Sequence, residues 1–304
     1  MASVIIRMMR KVAFFPLIIS LLLLSSCAPQ TPTTANQQVK STNAYIQNKG
    51  SDTLVNLALA WAEQYQILHP EIEISVTGGG SGTGFTSLIN GTVDIANASR
   101  QIKPEEVQQA KANGFEPVEF TVANDAIAVI VNPGNPVSQL TLEQVSKIYQ
   151  GQINNWQEVG GEDRPIVRLS RETNSGTHVY FLETVIRLGD SNNKSFFSAD
   201  TLLLPSSEGI IAEVRDNPNA IGYDGLGYVT PEVKMIGLAK KVTDQYVLPS
   251  AATVIDNSYP ISRSLYMYTH GQPSGAIKDY IDWILSVEAQ KLTIQLGFVP
   301  LVTK

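Results

Sequence analysis

The chain reads as a two-lobed α/β protein, and three observations lead there. Segments with strand-like alternation take turns with segments of helical spacing, the pattern of βαβ units around a parallel sheet. Loops rich in Ser, Thr and Gly follow several of these strands and precede helices, at the strand ends where α/β sheets hold ligands. Two apolar, β-rich runs, 118–131 and 259–268, suit crossings from one lobe to another and back. The expected lobes are 45–125 with 260–304, and 126–259, with a small ligand in the cleft between them.

Taken in order, residues 1–27 read as a leader. Arg7, Arg10 and Lys11 precede an apolar stretch from Val12 to Leu24, shorter than the ~20 residues of a membrane span. It ends Leu24-Ser25-Ser26-Cys27, which looks like a bacterial lipobox, making Cys27 the expected lipidation site. Cys27 is also the only cysteine, so no internal disulfide is possible. Residues 28–44, rich in Pro, Thr, Gln and Asn, read as a flexible tether.

Gly50-Ser51-Asp52-Thr53 opens a helix over 54–68 whose Leu54, Leu57, Ala58, Trp61 and Tyr65 form an apolar stripe. Alternation over 72–76 gives a strand. Gly78-Gly79-Gly80-Ser81-Gly82-Thr83-Gly84 then leads into a short helix over 84–90, so a glycine loop separates strand from helix. Such a loop can turn its N–H groups toward an anion, at a helix end with unpaired donors and the positive pole of the dipole. Pro104-Glu105-Glu106 opens a further helix. Leu140 to Val145 reads as a capped helix, 165–169 as a strand, and Asn174-Ser175-Gly176-Thr177 as a third helix start of the same grammar. Ser206-Ser207-Glu208-Gly209 begins a helix through Val214, Ala220 to Tyr223 is a short strand, and 276–296 has helical spacing.

Composition bounds the function. Of 304 residues 43% are hydrophobic, as in a folded globular protein, and the formal charge of −6 argues against a general nucleic-acid binder. An anion site must then be positive locally.

The three helix starts, together with Asn90-Gly91-Thr92-Val93-Asp94-Ile95-Ala96-Asn97-Ala98-Ser99-Arg100, Arg171-Glu172-Thr173-Asn174-Ser175-Gly176-Thr177 and Ala220-Ile221-Gly222-Tyr223, resemble the PstS-type phosphate-binding proteins of bacterial phosphate ABC transporters. The resemblance spans nearly the whole chain after the leader. It implies a type II periplasmic-binding-protein fold and a receptor outside the cytoplasmic membrane, held there by lipid on Cys27. It also implies a monomer without cofactor or metal that hands inorganic phosphate to permease subunits. Carried over by position, Ser51 and Thr53 give hydroxyl and amide donors, Ser81 its hydroxyl and N–H, and Arg171 the charged contact. Ser175, Gly176 and Thr177 cap the anion from the second lobe. A guanidinium matches phosphate bidentately.

Two departures stand out. One branch of the family has Asp after the Ala-Ser matched by Ala98-Ser99, accepting the proton of hydrogen phosphate, where this chain has Arg100. The same branch has Asp where this chain has Thr173. Selectivity against sulfate needs such an acceptor, so another carboxylate is expected to serve, first Asp52 and then Asp224; Asp52 also fits a plain helix cap. Arg100 reads as a second phosphate ligand, with a structural ion pair as the alternative.

Enzymatic readings find little support. No P-loop or dinucleotide fingerprint occurs, Ser81 lacks a nucleophile elbow, and Ser191 to Lys194 matches Ser-x-x-Lys without its partner motifs. His69, His178 and His270 are too scattered for a metal phosphatase. Tyr149, Trp156, Tyr223 and Tyr228 fit packing better than a sugar platform. A sulfate or molybdate receptor remains a rival, and a phosphatase or an adhesion or signalling lipoprotein a more distant one.

Overall fold

The computed structural model describes residues 44–301. The leader, Cys27 and the tether up to residue 43 lie outside them. The first half of the described chain runs β1 (Ala44–Gly50), α1 (Asp52–Leu68), β2 (Ile72–Thr77), α2 (Ser81–Ile89), β3 (Ile95–Ala98), α3 (Pro104–Ala112), β4 (Pro117–Val131), β5 (Gln139–Thr141) and α4 (Leu142–Tyr149). The second runs β6 (Val167–Arg171), α5 (Gly176–Phe181), β7 (Leu202–Leu204), α6 (Ser207–Asp216), β8 (Ala220–Gly225), β9 (Lys234–Met235), β10 (Gly237–Ala239), α7 (Ala251–Ile255), β11 (Ser262–His270), α8 (Gly275–Ile284) and α9 (Val287–Gln295).

The main sheet has the order β2-β1-β3-β11-β4-β8-β6-β7, with β9 also on β4, while β5 and β10 pair separately. The expected parallel sheet is in fact mixed. β1 is parallel to β2 and β3, and β6 to β7 and β8, but the two long strands run antiparallel to their neighbours. Those strands join the halves of the sheet: β4 opposes β11 as far as Ala126 and β8 from Ile127 onward.

The apolar stripe of α1 is buried as its spacing requires, with Leu54, Leu57 and Trp61 fully covered against Ile46, Ile74, Tyr280 and Ile284. At ~1.5–3 kcal/mol for each large apolar side chain buried, this packing holds the start of α1 in place. In the second half, Tyr149, Trp156, Phe181 and Tyr223 form the core, with Phe181 stacked on Tyr223 at 3.6 Å; Tyr228 is buried as well. All four aromatic residues weighed as a sugar platform are therefore packing residues.

The tail expected as one helix is two. The first stops at Ile284, and Ser286 caps the second by accepting the N–H of Ala289 at 3.3 Å. Apolar spacing runs through the break because Ile284, Leu285 and Val287 continue it, and only the cap betrays the turn.

Candidate functional site

The carboxyl ends of β1, β2, β3 and β6 bring the Ser, Thr and Gly loops together. Ser51 takes the N-cap position of α1, yet its side chain makes no cap bond. Its hydroxyl donates instead to that of Ser99, just past β3, at 2.9 Å. Gly80 takes the cap position of α2 at φ 86°, a backbone conformation glycine adopts at little cost, and has no side chain to cap with. Ser81 then accepts the N–H of Ser99 at 3.0 Å and lies 3.3 Å from its hydroxyl. Ordinary caps satisfy the first N–H groups of a helix from within. Here the serines at the starts of α1 and α2 face a common centre.

The second half meets this centre directly. The Thr53 and Thr177 hydroxyls are 2.8 Å apart. Gly176 packs against Ser81 and Ser99 so closely that a Cβ there would stand 2.5 Å from the Ser99 Oγ and nearer still to that of Ser81. Ser175 caps α5 by accepting from Thr177 and His178. Asn174 accepts the N–H of Gly82 at 3.0 Å and donates to the Gly79 carbonyl at 3.0 Å, so the glycine loop is tied to the other half of the chain.

Two arginines are buried beside these hydroxyls. Arg171, 1% exposed, donates to Ser207 at 2.7 Å and to the Pro205 carbonyl at 2.8 Å, pairs with Asp52, and lies 3.7 Å from Asp224. Asp52, at the start of α1, is thus the carboxylate paired with the Arg171 guanidinium. Arg263, on β11, bonds Asp125 at 3.0 Å and the Ser99 carbonyl at 2.9 Å, and reaches the Thr177 and Thr53 hydroxyls at 2.9 and 3.4 Å.

Of the residues expected in the site, the structure brings together Ser51, Thr53, Ser81, Ser175, Gly176 and Thr177, with Arg171 and Asp52 at the edge. Arg100 stands apart. Both its Nη atoms bond Glu106, at 2.8 and 2.6 Å, and its guanidinium lies over Phe85 at 4.8 Å, which supports the ion-pair alternative. Four residues absent from the expectation belong here: Ser99, Asp125, Ser207 and Arg263. Ser99 was visible inside the Ala98-Ser99 motif. Arg263 is the only charged residue between Tyr259 and Tyr268, a lone cation in an apolar strand, and that was the available signal.

Burial raises the Asp125 and Asp224 carboxyls. Asp125 is pushed up to about 6 from an ordinary 3.8, with Arg263 opposing the rise and Asp224 adding to it. Asp224 rises for the same reason, with Arg171 opposing. A proton on Asp125 stabilises the fold below pH ~4, and this contribution is lost as pH climbs through ~6. The interval from 3.8 to about 6 corresponds to about 3 kcal/mol. Denaturant unfolding from about pH 4 to about pH 7.5 should therefore show the wild type losing more stability than Asp125→Asn, and parallel profiles would refute this account.

His178, adjacent to the third loop, is buried, shares a 3.0 Å bond with Ser170 and stacks on Phe197; burial lowers its pKa. It is packed rather than poised. Lys194 bonds the Ser191 carbonyl in an exposed loop, His270 stacks on Phe115, and His69 lies 3.4 Å from Glu71. Among the described residues no group of His, Cys, Asp and Glu is arranged to hold a metal.

The sequence matches the PBP superfamily domain over residues 31–288. It is 31% identical over 285 residues to the phosphate-binding protein PstS of Pseudomonas aeruginosa, covering 88% of this chain and 86% of that one. It is also 31% identical over 252 residues to PstS of Bacillus subtilis, covering 83% and 79%. Among solved structures, a putative phosphate ABC transporter substrate-binding protein from Clostridium perfringens with bound phosphate superposes with a TM-score of 0.75 at 31% identity, covering 84% of this chain and 99% of that one. An ABC-type phosphate transport receptor from Vibrio cholerae gives 0.67 at 31% identity, with 84% and 99% covered. With its mixed α/β sheet and facing helix starts, this chain belongs to the PstS-type phosphate-binding proteins of the PBP superfamily.

Proposed function

We propose that the protein is a high-affinity receptor for inorganic phosphate outside the cytoplasmic membrane, anchored by lipid on Cys27, and that it delivers the anion to ABC permease subunits. Its two lobes, 45–125 with 260–304 and 126–259, close on the ligand, and it acts as a monomer that binds without turning over. The observation that carries this reading is the inward aim of the serines at two helix starts: Ser51, the cap residue of α1, and Ser81, the first residue of α2, meet at Ser99. Their hydroxyls, with those of Thr53 and Thr177 and the first N–H groups of α1 and α2, gather many donors at one centre, a setting suited to a tetrahedral oxyanion. Micromolar affinity requires a net gain of about 8 kcal/mol. Bonds to a charged group contribute roughly 1.5–3 kcal/mol each, so once desolvation and closure of the lobes are offset, two or three donors fall short and many are needed.

The test is calorimetric titration of the purified protein, freed of bound anion, with phosphate, sulfate, molybdate and a phosphate monoester. One-to-one micromolar binding of phosphate, weaker binding of the other anions and no hydrolysis of the ester are expected. Preference for sulfate or molybdate would replace phosphate as the ligand, and heat from none would end the receptor reading.

A further inference from the structure

Resting on the phosphate reading above, we propose that Arg263 is a second anion-binding arginine of the site, one that the Arg-x-x-x-Ser-Gly-Thr motif does not account for. The motif arginine, Arg171, is already committed to the protein. Its Nη1 donates to Ser207 and lies 3.7 Å from Asp224, its Nη2 donates to Pro205 and Asp52, and its buried Nε has no partner among the described residues.

Arg263 is placed differently. Its Nη2 touches the Thr177 and Thr53 hydroxyls together, at 2.9 and 3.4 Å, one from each half of the chain. An anion held by those threonines therefore lies against this guanidinium. The two N–H bonds of Nη2 face three acceptors, the third being Asp125 at 3.0 Å. The threonine hydroxyls accept only weakly beside an anionic oxygen, so a phosphate oxygen can take their place on Nη2 at a gain, because charge-assisted bonds are the stronger ones. Nη1 has one acceptor, the Ser99 carbonyl at 2.9 Å, which leaves it a second N–H to offer.

The fold holds this side chain in position from several directions. Arg263 and Asp125 are directly opposed on β11 and β4, one residue before β4 exchanges β11 for β8. Asp125 in turn accepts the N–H of Leu226 at 3.1 Å, and the Tyr180 ring lies 5.5 Å from the guanidinium. Gly225 completes the wall: a Cβ there would come within 2.8 Å of Asp125 Oδ2 and 3.1 Å of the Thr53 methyl. A charged contact at this point sits where the halves of the sheet join and touches hydroxyls from both, so it can register the anion and the approach of the halves together.

The experiment compares phosphate affinity by calorimetry in the wild type, Arg263→Gln, Arg263→Lys and the control Arg187→Gln, with thermal unfolding of each anion-free protein in parallel. Arg263→Gln should weaken binding at least fiftyfold. Arg263→Lys keeps a cation for Asp125 and thus the fold, but loses the fork that reaches the threonines through Nη2 and the Ser99 carbonyl through Nη1, and should weaken binding at least tenfold while its unfolding temperature stays near wild type. Arg187→Gln, which removes a half-buried charge that bonds the Ser195 carbonyl and lies over Phe196, should change affinity less than twofold. If folded Arg263→Lys binds phosphate within threefold of wild type, Arg263 is only a structural partner of Asp125 and the proposal falls. If the wild type itself binds no phosphate, the receptor reading fails instead.

Discussion

Gly176→Ala should weaken phosphate binding at least a hundredfold, about 2.7 kcal/mol, with most of the stability of the fold retained. The Cβ it adds would stand 2.5 Å from the Ser99 Oγ, 3.1 Å from the Ser99 carbonyl carbon and closer still to the Ser81 Oγ. Ser81 and Ser99 are both fully buried, and backbone cannot step aside as the end of a flexible side chain can. The methyl group therefore wedges the start of α5 away from the starts of α1 and α2, and donors a few tenths of an ångström too far apart lose their common focus. Calorimetry on the folded variant decides it, and affinity within threefold of wild type would show that the halves need not approach this closely.

Arg171→Ala should cost both affinity and stability. Its guanidinium joins β6 to the first turn of α1 through Asp52 and stands 3.7 Å from Asp224, whose Oδ2 has no hydrogen-bond partner among the described residues. Removing it leaves buried Asp224 without its cation, a loss of about 3 kcal/mol by analogy with broken buried pairs. It also frees the start of α1, which carries Ser51 and Thr53. Phosphate binding should weaken at least tenfold, whereas Ser191→Ala, in the exposed loop, should leave it unchanged. An Arg171→Ala protein with wild-type affinity would remove the clamp from the binding mechanism.

Both effects arise from contacts between distant parts of the chain, and this is where reading the sequence stopped. Local signals were legible: the stripe Leu54, Leu57, Trp61, Tyr65 announced α1, and Ser, Thr and Gly loops after strands announced helix starts, because periodicity and turn chemistry act within a few residues. The mixed direction of the sheet was not legible, since an apolar strand carries the same residues whichever way its neighbour runs. Nor was the break at Ser286, where helical spacing continued across the cap.

The helix starts, the family motifs and the hydroxyl donors were determined by the sequence alone, because each is a run of neighbouring residues whose backbone needs are local. Tertiary structure decided how charges pair. Arg100 met Glu106 six residues away, Arg171 met Asp52 across 119 residues, and Arg263 met Asp125 across 138. An arginine in the sequence is a cation with several possible partners; folding selects one by burying both and making an unpaired charge too costly.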